Sequence, residues 1–232
     1  MNYLIPVLAF LVSYLFASFP SGVVIGKVFY GKDVRQFGSG GTGMTNVYRT
    51  LGIKAALAVF VLDLSKGILP VLLTYQAAFV WTSVGVEVLL LGQFAIFLSG
   101  LGTTLGHCYP IFAQFRGGKA VSSGGSYMLM TNWFIAIISV TFFVIMIRVK
   151  KIVSLSSILG YGLGVTLAVV FWLVPGLNAL GYWNGMNEAG YFYPLSLLVI
   201  YAILLWRHKE NIQRLLAGKE LDFKAKKQTK QR

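Results

Sequence analysis

Acidic side chains are scarce in this chain. Asp and Glu together number 7 against 20 Lys and Arg, a net charge of +13. One cysteine, Cys108, leaves no partner for an internal disulfide. The only two histidines, His107 and His208, make no recognisable metal-ligand set with Asp63 and Glu210. Neither a metal nor another cofactor is expected. No basic segment precedes the apolar run at 3–25, which is also too long for the core of a cleaved signal, so it reads as a first membrane span. Neither a soluble domain nor an internal repeat can be made out.

Apolar residues fill the space that these absences leave. They make up 56% of the 232 residues, and the mean hydropathy is +0.73. Apolar runs of about 20 residues recur, long enough to cross ~30 Å of hydrocarbon. A multi-span membrane protein is the class that fits. The cations fall in four clusters: Lys27, Lys32, Arg35, Arg49 and Lys54; Arg116 and Lys119; Arg148, Lys150 and Lys151; and nine more from Arg207 to Arg232. Loops rich in Lys and Arg stay on the cytoplasmic side, so all four clusters belong there. Membrane topology accounts for this charge, and no nucleic-acid partner is needed. The basic end of the tail either leans on anionic membrane lipid or only fixes topology.

Tracing spans between these clusters gives an all-α polytopic protein of about seven transmembrane helices, with its N-terminus outside and its C-terminus in the cytoplasm. Spans are expected at 3–25, 55–80, 84–106, 155–175 and 191–206. Residues 120–147 lie between two basic clusters, so they must cross twice or re-enter, with a break near 130–133. The loop 176–190 has no Lys or Arg and reads as external. Trp81, Trp133, Trp172, Trp183 and Trp206 sit near span ends, as interfacial tryptophans do. The chain divides into one transmembrane catalytic domain, 1–206, and a cytoplasmic C-terminal motif with a basic tail, 207–232.

Three polar segments reach the same face. In "GSGGTGMTN", Gly38, Gly40 and Gly43 match G-x-G-x-x-G. A dinucleotide site also needs a preceding strand and a later acid on the ribose, but a membrane helix precedes here and the next acid, Asp63, lies within a span. No Gly-Lys-Ser/Thr follows, so it is not a P-loop either. The shared physics remains: glycines let backbone N–H groups close on an anion, and a helix starting near Thr45 points its N-terminus at it. Ser39, Thr42, Thr45 and Asn46 add hydrogen bonds, and Arg49 can grip phosphate as a fork. A bare turn between spans would not need these side chains.

"FRGGK" sets Gly117 and Gly118 between Arg116 and Lys119. It reads as a second anion subsite or as topology-fixing charge beside a turn. His107 is either a base or a histidine satisfied at a helix end. In "HKENIQRLLAG", His208 and Asn211 stand one turn apart, on a helix that is either part of the site or a polar stretch at the membrane edge. Asp63 and Lys66 lie at i, i+3 inside a span, where ionisable groups default to function. An ion pair that only locks helices is the alternative.

Together "GSGGTGMTNVYRTLG", "LDLSKG", "GHCYPIFAQFRGGK" and "HKENIQRLLAG" resemble, in order and over nearly the whole chain, the bacterial acyl-phosphate-dependent glycerol-3-phosphate acyltransferases of the PlsY family. The chain departs from the family at Gly41-Thr42, where Asn-Ile is usual, and at 120–123, where Gly-Val-Ala-Thr is usual. The resemblance implies a multi-pass protein of the bacterial inner membrane, with an active site at the cytoplasmic face. It also implies fatty acyl transfer from acyl phosphate to the sn-1 hydroxyl of glycerol 3-phosphate, which makes lysophosphatidic acid for phospholipid synthesis. Ser39, Lys119 and His208 are then the catalytic candidates. Thr45, Asn46, Arg49, Lys66, Gly117, Gly118 and Asn211 join them in holding substrate. The implied partners are glycerol 3-phosphate, acyl phosphate and membrane lipid, with a functional link to the enzyme that makes acyl phosphate.

The inventory suits that chemistry. An acyl phosphate is already activated, so the protein has to hold two anions together and stabilise an oxyanion. No His-x4-Asp dyad is present, and neither Ser nor Cys has an obvious dedicated base. Direct transfer without an acyl-enzyme is expected. The rival reading is a membrane transporter for an organic phosphate. Transporters place such sites near the midplane, between repeats, whereas these motifs share one face.

Overall fold

The computed structural model describes residues 4–82, 86–174, 176–177, 180–182 and 191–223. Trp183, most of the loop 176–190 and the tail from 224 onward lie outside the described residues, as does the side chain of Trp81. The described residues form ten α-helices: α1 Leu4–Ala17, α2 Ser21–Tyr30, α3 Met44–Leu51, α4 Ile53–Thr82, α5 Val86–Cys108, α6 Val121–Thr131, α7 Trp133–Lys150, α8 Val153–Leu173, α9 Phe192–Arg207 and α10 Lys209–Leu216. Among the described residues, four segments are long and apolar enough to cross a membrane: Leu4–Tyr30, Ile53–Ala78, Trp133–Lys150 and Val153–Leu173. Phe192–Arg207 is apolar but shorter. Trp133, Trp172 and Trp206 lie at helix ends and are 39%, 46% and 62% exposed, as the interfacial reading requires.

The first span differs from the single helix expected. It is interrupted between Ala17 and Ser21, because Pro20 disfavours the helical conformation at Phe19. Ser18 Oγ closes α1 by donating to the Tyr14 carbonyl at 2.7 Å. The helix resumes at Ser21 and runs to Tyr30, past the expected end, until Gly31 stops it with φ 61°. The interruption sets Ser21 inside the bundle, 2% exposed. Within α1, Ser13 shares a 2.7 Å hydroxyl bond with Ser99 that pins α1 to α5.

The break expected near 130–133 falls at Asn132. Its side chain caps α7 by accepting from Ile135 N at 2.9 Å, and its amide donates to the Leu180 carbonyl at 3.0 Å. α6, 11 residues long, therefore spans only about 16 Å. Its Asn132 end meets residues 180–182, between α8 and α9. Gly118 and Lys119, just before its other end, meet Arg207 at the end of α9 and Asn211 in α10. The main core lies among α6, α7, α8 and α9, around Tyr127, Met128, Ile135, Leu197, Ile200 and Leu204. A smaller core of Val23, Val34, Val47, Ala56 and Val59 clamps the loop 31–43 and α3 onto α2 and α4. Val34 and Val47 are fully buried, each contributing about 2 kcal/mol to holding that loop in place.

Candidate active site

The first motif loop is built around Asn46. From α3 its amide donates to the carbonyls of Val34 at 2.9 Å, Phe37 at 3.2 Å and Gly41 at 2.8 Å. Its carbonyl oxygen accepts from Ser39 N at 2.8 Å and Ser39 Oγ at 3.3 Å. Asn46 is 3% exposed. The residue expected to touch the anion thus folds the loop that would. Gly38 and Gly40 take φ of 57° and 72°, a region costly for side chains, and they turn Ser39 outward to the exposed tip. Asp33 caps the short turn before the loop and pairs with Arg35 at 2.7 Å. The Arg35 hydrogen bonds hold its carboxyl at about 2, despite opposing burial. Arg35 also donates to the Ala113 carbonyl at 3.2 Å, tying this loop to the second.

α3 starts at Met44, so Thr45 stands in its first turn, with Arg49 one turn further on the same face. Arg49 Nη2 donates to the Asp222 carbonyl at 3.0 Å. Its Nε is buried without a partner.

The second loop is clamped from both sides. His107, near the end of α5, accepts from Gly118 N at 2.9 Å through its carbonyl. Its ring occupies the place a side chain on residue 118 would need. From the other side Arg207 donates to the Gly118 carbonyl at 3.0 Å and to that of Gly117 at 3.2 Å, with its guanidinium 5.0 Å from the Tyr109 ring centroid. The glycine pair is thus required by close packing, whatever it also offers an anion. Ala120 follows with φ 64°, a left-handed alanine. Lys119, between Gly118 and Ala120, donates to Asn211 Oδ1 at 2.6 Å. Burial pushes its ammonium down to about 8, and the nearby Arg214 adds to that fall.

His208 sits where α9 gives way to α10. Its Nδ1 lies 2.8 Å from the Leu204 carbonyl, which can only accept. Nδ1 therefore carries the proton, and Nε2 keeps a lone pair. Burial lowers the imidazole to about 4, so it is neutral at ordinary pH. Asn211, one turn on, donates to Glu220 Oε1 at 2.6 Å. Glu220 also takes Arg214 at 2.7 Å and Ser154 at 3.0 Å. Its neighbourhood closes onto the first motif, because Phe223 stacks on Tyr48 with centroids 5.1 Å apart and Asp222 holds Arg49.

The structure brings Lys119, His208 and Asn211 into one cluster, linked through Glu220 and Asp222 to Arg49 and so to the Ser39 loop. Lys66 lies apart from them, in α4. It is 5% exposed, with its ammonium 2.8 Å from Asp63 and 3.0 Å from Ser21 Oγ. Sequence reasoning missed Arg207, counted only as topology, and Glu220, which lies just beyond the quoted motif. It also missed Ser21, whose only signal is the Phe-Pro-Ser-Gly punctuation inside an apolar run.

An apolar bundle whose mouth gathers backbone amides, hydroxyls and cations is a membrane protein equipped for anionic, lipid-like molecules. Residues 7–218 match the family described as Glycerol-3-phosphate acyltransferase. A glycerol-3-phosphate acyltransferase of Prochlorococcus marinus (strain NATL2A) is 38% identical over 207 residues, covering 89% of this chain and 92% of that one. Its namesake in Enterococcus faecalis is 39% identical, covering 92% and 90%. The fold is similar to the crystal structure of PlsY (YgiH), an integral membrane glycerol 3-phosphate acyltransferase, in its glycerol 3-phosphate form, with a TM-score of 0.75, 30% identity and 94% of each chain covered. The lysophosphatidic acid form of that protein gives a TM-score of 0.73. This chain belongs to the glycerol-3-phosphate acyltransferase family. It is a multi-pass enzyme of the bacterial membrane.

Proposed function

We propose that this chain transfers a fatty acyl group from acyl phosphate to the sn-1 hydroxyl of glycerol 3-phosphate, giving lysophosphatidic acid and inorganic phosphate as an opening step of phospholipid synthesis. The observation that carries this reading is the convergence of Lys119, His208 and Asn211 on one mouth with the loop of Ser39 and Arg49. Two phosphate-bearing substrates need two sets of cations and amides side by side, and a lipid tail needs the apolar helix faces below. The relatives' names supply the acceptor. The donor is read as an acyl phosphate because that group is already activated and brings a second phosphate to a site rich in cations and amides.

In this mechanism the C1 hydroxyl oxygen of glycerol 3-phosphate attacks the acyl carbonyl. The bond from that carbon to the phosphate oxygen breaks, and phosphate leaves with the electron pair. The hydroxyl proton passes to Nε2 of neutral His208 or to the departing phosphate. Lys119, Arg49 and the hydroxyls of Ser39 and Thr45 hold phosphate and offset the oxyanion charge. Gly117 and Gly118 contribute backbone at the same place, Asn211 aims Lys119, and Asn46 shapes the loop around Ser39. Fixing the two reactants in line is worth roughly 7–11 kcal/mol of barrier.

The bundle is read as seven spans: α1 with α2, then α4, α5, α6, α7, α8 and α9. The N-terminus is outside and the motif loops face the cytoplasm. The support is that α6, with the residues just before it, touches opposite ends of the α8–α9 pair, so α6 and α7 both cross. A short α6 lets a water-filled mouth reach down between longer helices. Acyl phosphate enters from the bilayer and must come from an enzyme that makes it.

Purified protein in vesicles, given labelled glycerol 3-phosphate and palmitoyl phosphate, tests the class. Label appearing as lysophosphatidic acid supports acyl transfer. Label accumulating inside the vesicles without product supports a transporter instead.

A further inference from the structure

A buried polar knot lies beneath the two motif loops, between α2, α4 and α5. Lys66 Nζ stands 2.8 Å from Asp63 Oδ1, one turn away on α4. Ser21 Oγ donates to the same oxygen at 2.5 Å and lies 3.0 Å from Lys66 Nζ. His107 Nδ1 is 3.8 Å from Asp63 Oδ1, beyond hydrogen-bond reach. The four side chains are between 1% and 5% exposed, and Asp63 Oδ2 is buried with no hydrogen-bond partner. A buried ion pair is often no more stabilising than apolar side chains of the same volume. Stapling helices is therefore a weak reason for it.

What the knot touches does account for it. Ser21 precedes Gly22, which packs directly against the Thr42 carbonyl of the first loop; a side chain there would strike that oxygen. His107 carries Gly118 on both its carbonyl and its ring, and Lys119 is the next residue. One carboxylate oxygen thus accepts from Ser21, whose neighbour backs one loop, and lies 3.8 Å from the ring of His107, which backs the other.

We propose that Asp63, held by Lys66 and Ser21 and packed beside His107, is the positioning centre that sets the distance between the Ser39–Arg49 loop and Lys119, and that Lys66 acts through Asp63 without touching substrate. The inference rests on the proposed acyl transfer, and transfer by the unaltered chain checks that reading separately.

The test compares kcat, the KM for glycerol 3-phosphate and thermal melting in detergent for Lys66→Met, Asp63→Asn, the double variant Asp63→Asn/Lys66→Gln, and Ser21→Ala. Each charge-breaking single variant strands one buried charge between the loops and lowers kcat/KM about 100-fold, the scale of a 1 Å misplacement. The double variant restores hydrogen bonds without charge and recovers activity to within roughly tenfold of the original. Ser21→Ala removes no charge, keeps the fold and raises the KM. Failure of the double variant to recover while melting normally would place the Lys66 charge on the substrate and overturn the proposal. So would single variants with lowered melting but unchanged kcat and KM in the folded fraction.

Discussion

Lys119 Nζ donates to Asn211 Oδ1 at 2.6 Å, joining the second motif to the third across 92 residues of sequence. Asn211 is itself held by Glu220 at 2.6 Å, so the ammonium is aimed rather than free. Lys119→Ala removes a cation from the developing charge and should lower kcat/KM by about 10²–10³-fold. Asn211→Ala leaves the cation but loses its aim, so the KM for glycerol 3-phosphate should rise by roughly tenfold. Steady-state kinetics on the two variants check this ordering.

The pH profile should carry both perturbed groups. Lys119 works protonated, and burial puts its value at about 8, so kcat/KM should fall as pH rises through about 8. His208 works neutral and titrates at about 4. Corrected for the substrate's own ionisation, no loss should appear as pH falls through 6.5. Stability follows the bound protons instead. Between the folded and unfolded values the unfolded chain binds more protons, so stability rises with pH from about 4 to 6.5 for His208 and from about 8 to 10.5 for Lys119. Melting temperatures across pH, with His208→Gln as the comparison, measure the first window.

Arg49 spends one nitrogen on the Asp222 carbonyl, while its buried Nε has no partner. A lysine there offers one point charge in place of a planar fork. Arg49→Lys should therefore raise the KM for a phosphate substrate by roughly 10–100-fold, the equivalent of one charged hydrogen bond at about 1.5–3 kcal/mol. Substrate titrations on the variant are the check.

Asn46 should matter to stability first. Truncation to alanine frees buried carbonyls that its amide now holds, at about 1–3 kcal/mol for each one left unsatisfied. Asn46→Asp keeps the size but loses both N–H donors, so it should be nearly as damaging. Both variants should melt lower than the unaltered chain in detergent.

Much of this was legible in the sequence because hydropathy and charge act locally. The apolar runs and the cationic clusters located the helices, and the turn at Asn132 showed as a polar pair inside an apolar run. The three motifs announced their shared face. Sequence could not show which motif residues build the site and which face into it, since that depends on contacts between distant segments. The contacts of the Asn46 amide with three loop carbonyls cannot be read from the sequence. Neither can the His107 ring packed against Gly118. Nor can Ser21, 45 positions away, beside the Lys66 ammonium. Arg207 looked like topology alone because its target carbonyls belong to another motif.

The most direct test of the central claim is acyl transfer to labelled glycerol 3-phosphate by the purified protein without added metal, with palmitoyl phosphate and palmitoyl-CoA offered separately. The account predicts lysophosphatidic acid from the acyl phosphate only, with product lost in Lys119→Ala. Product from palmitoyl-CoA alone, or an acyl group trapped on the protein during turnover, would contradict it.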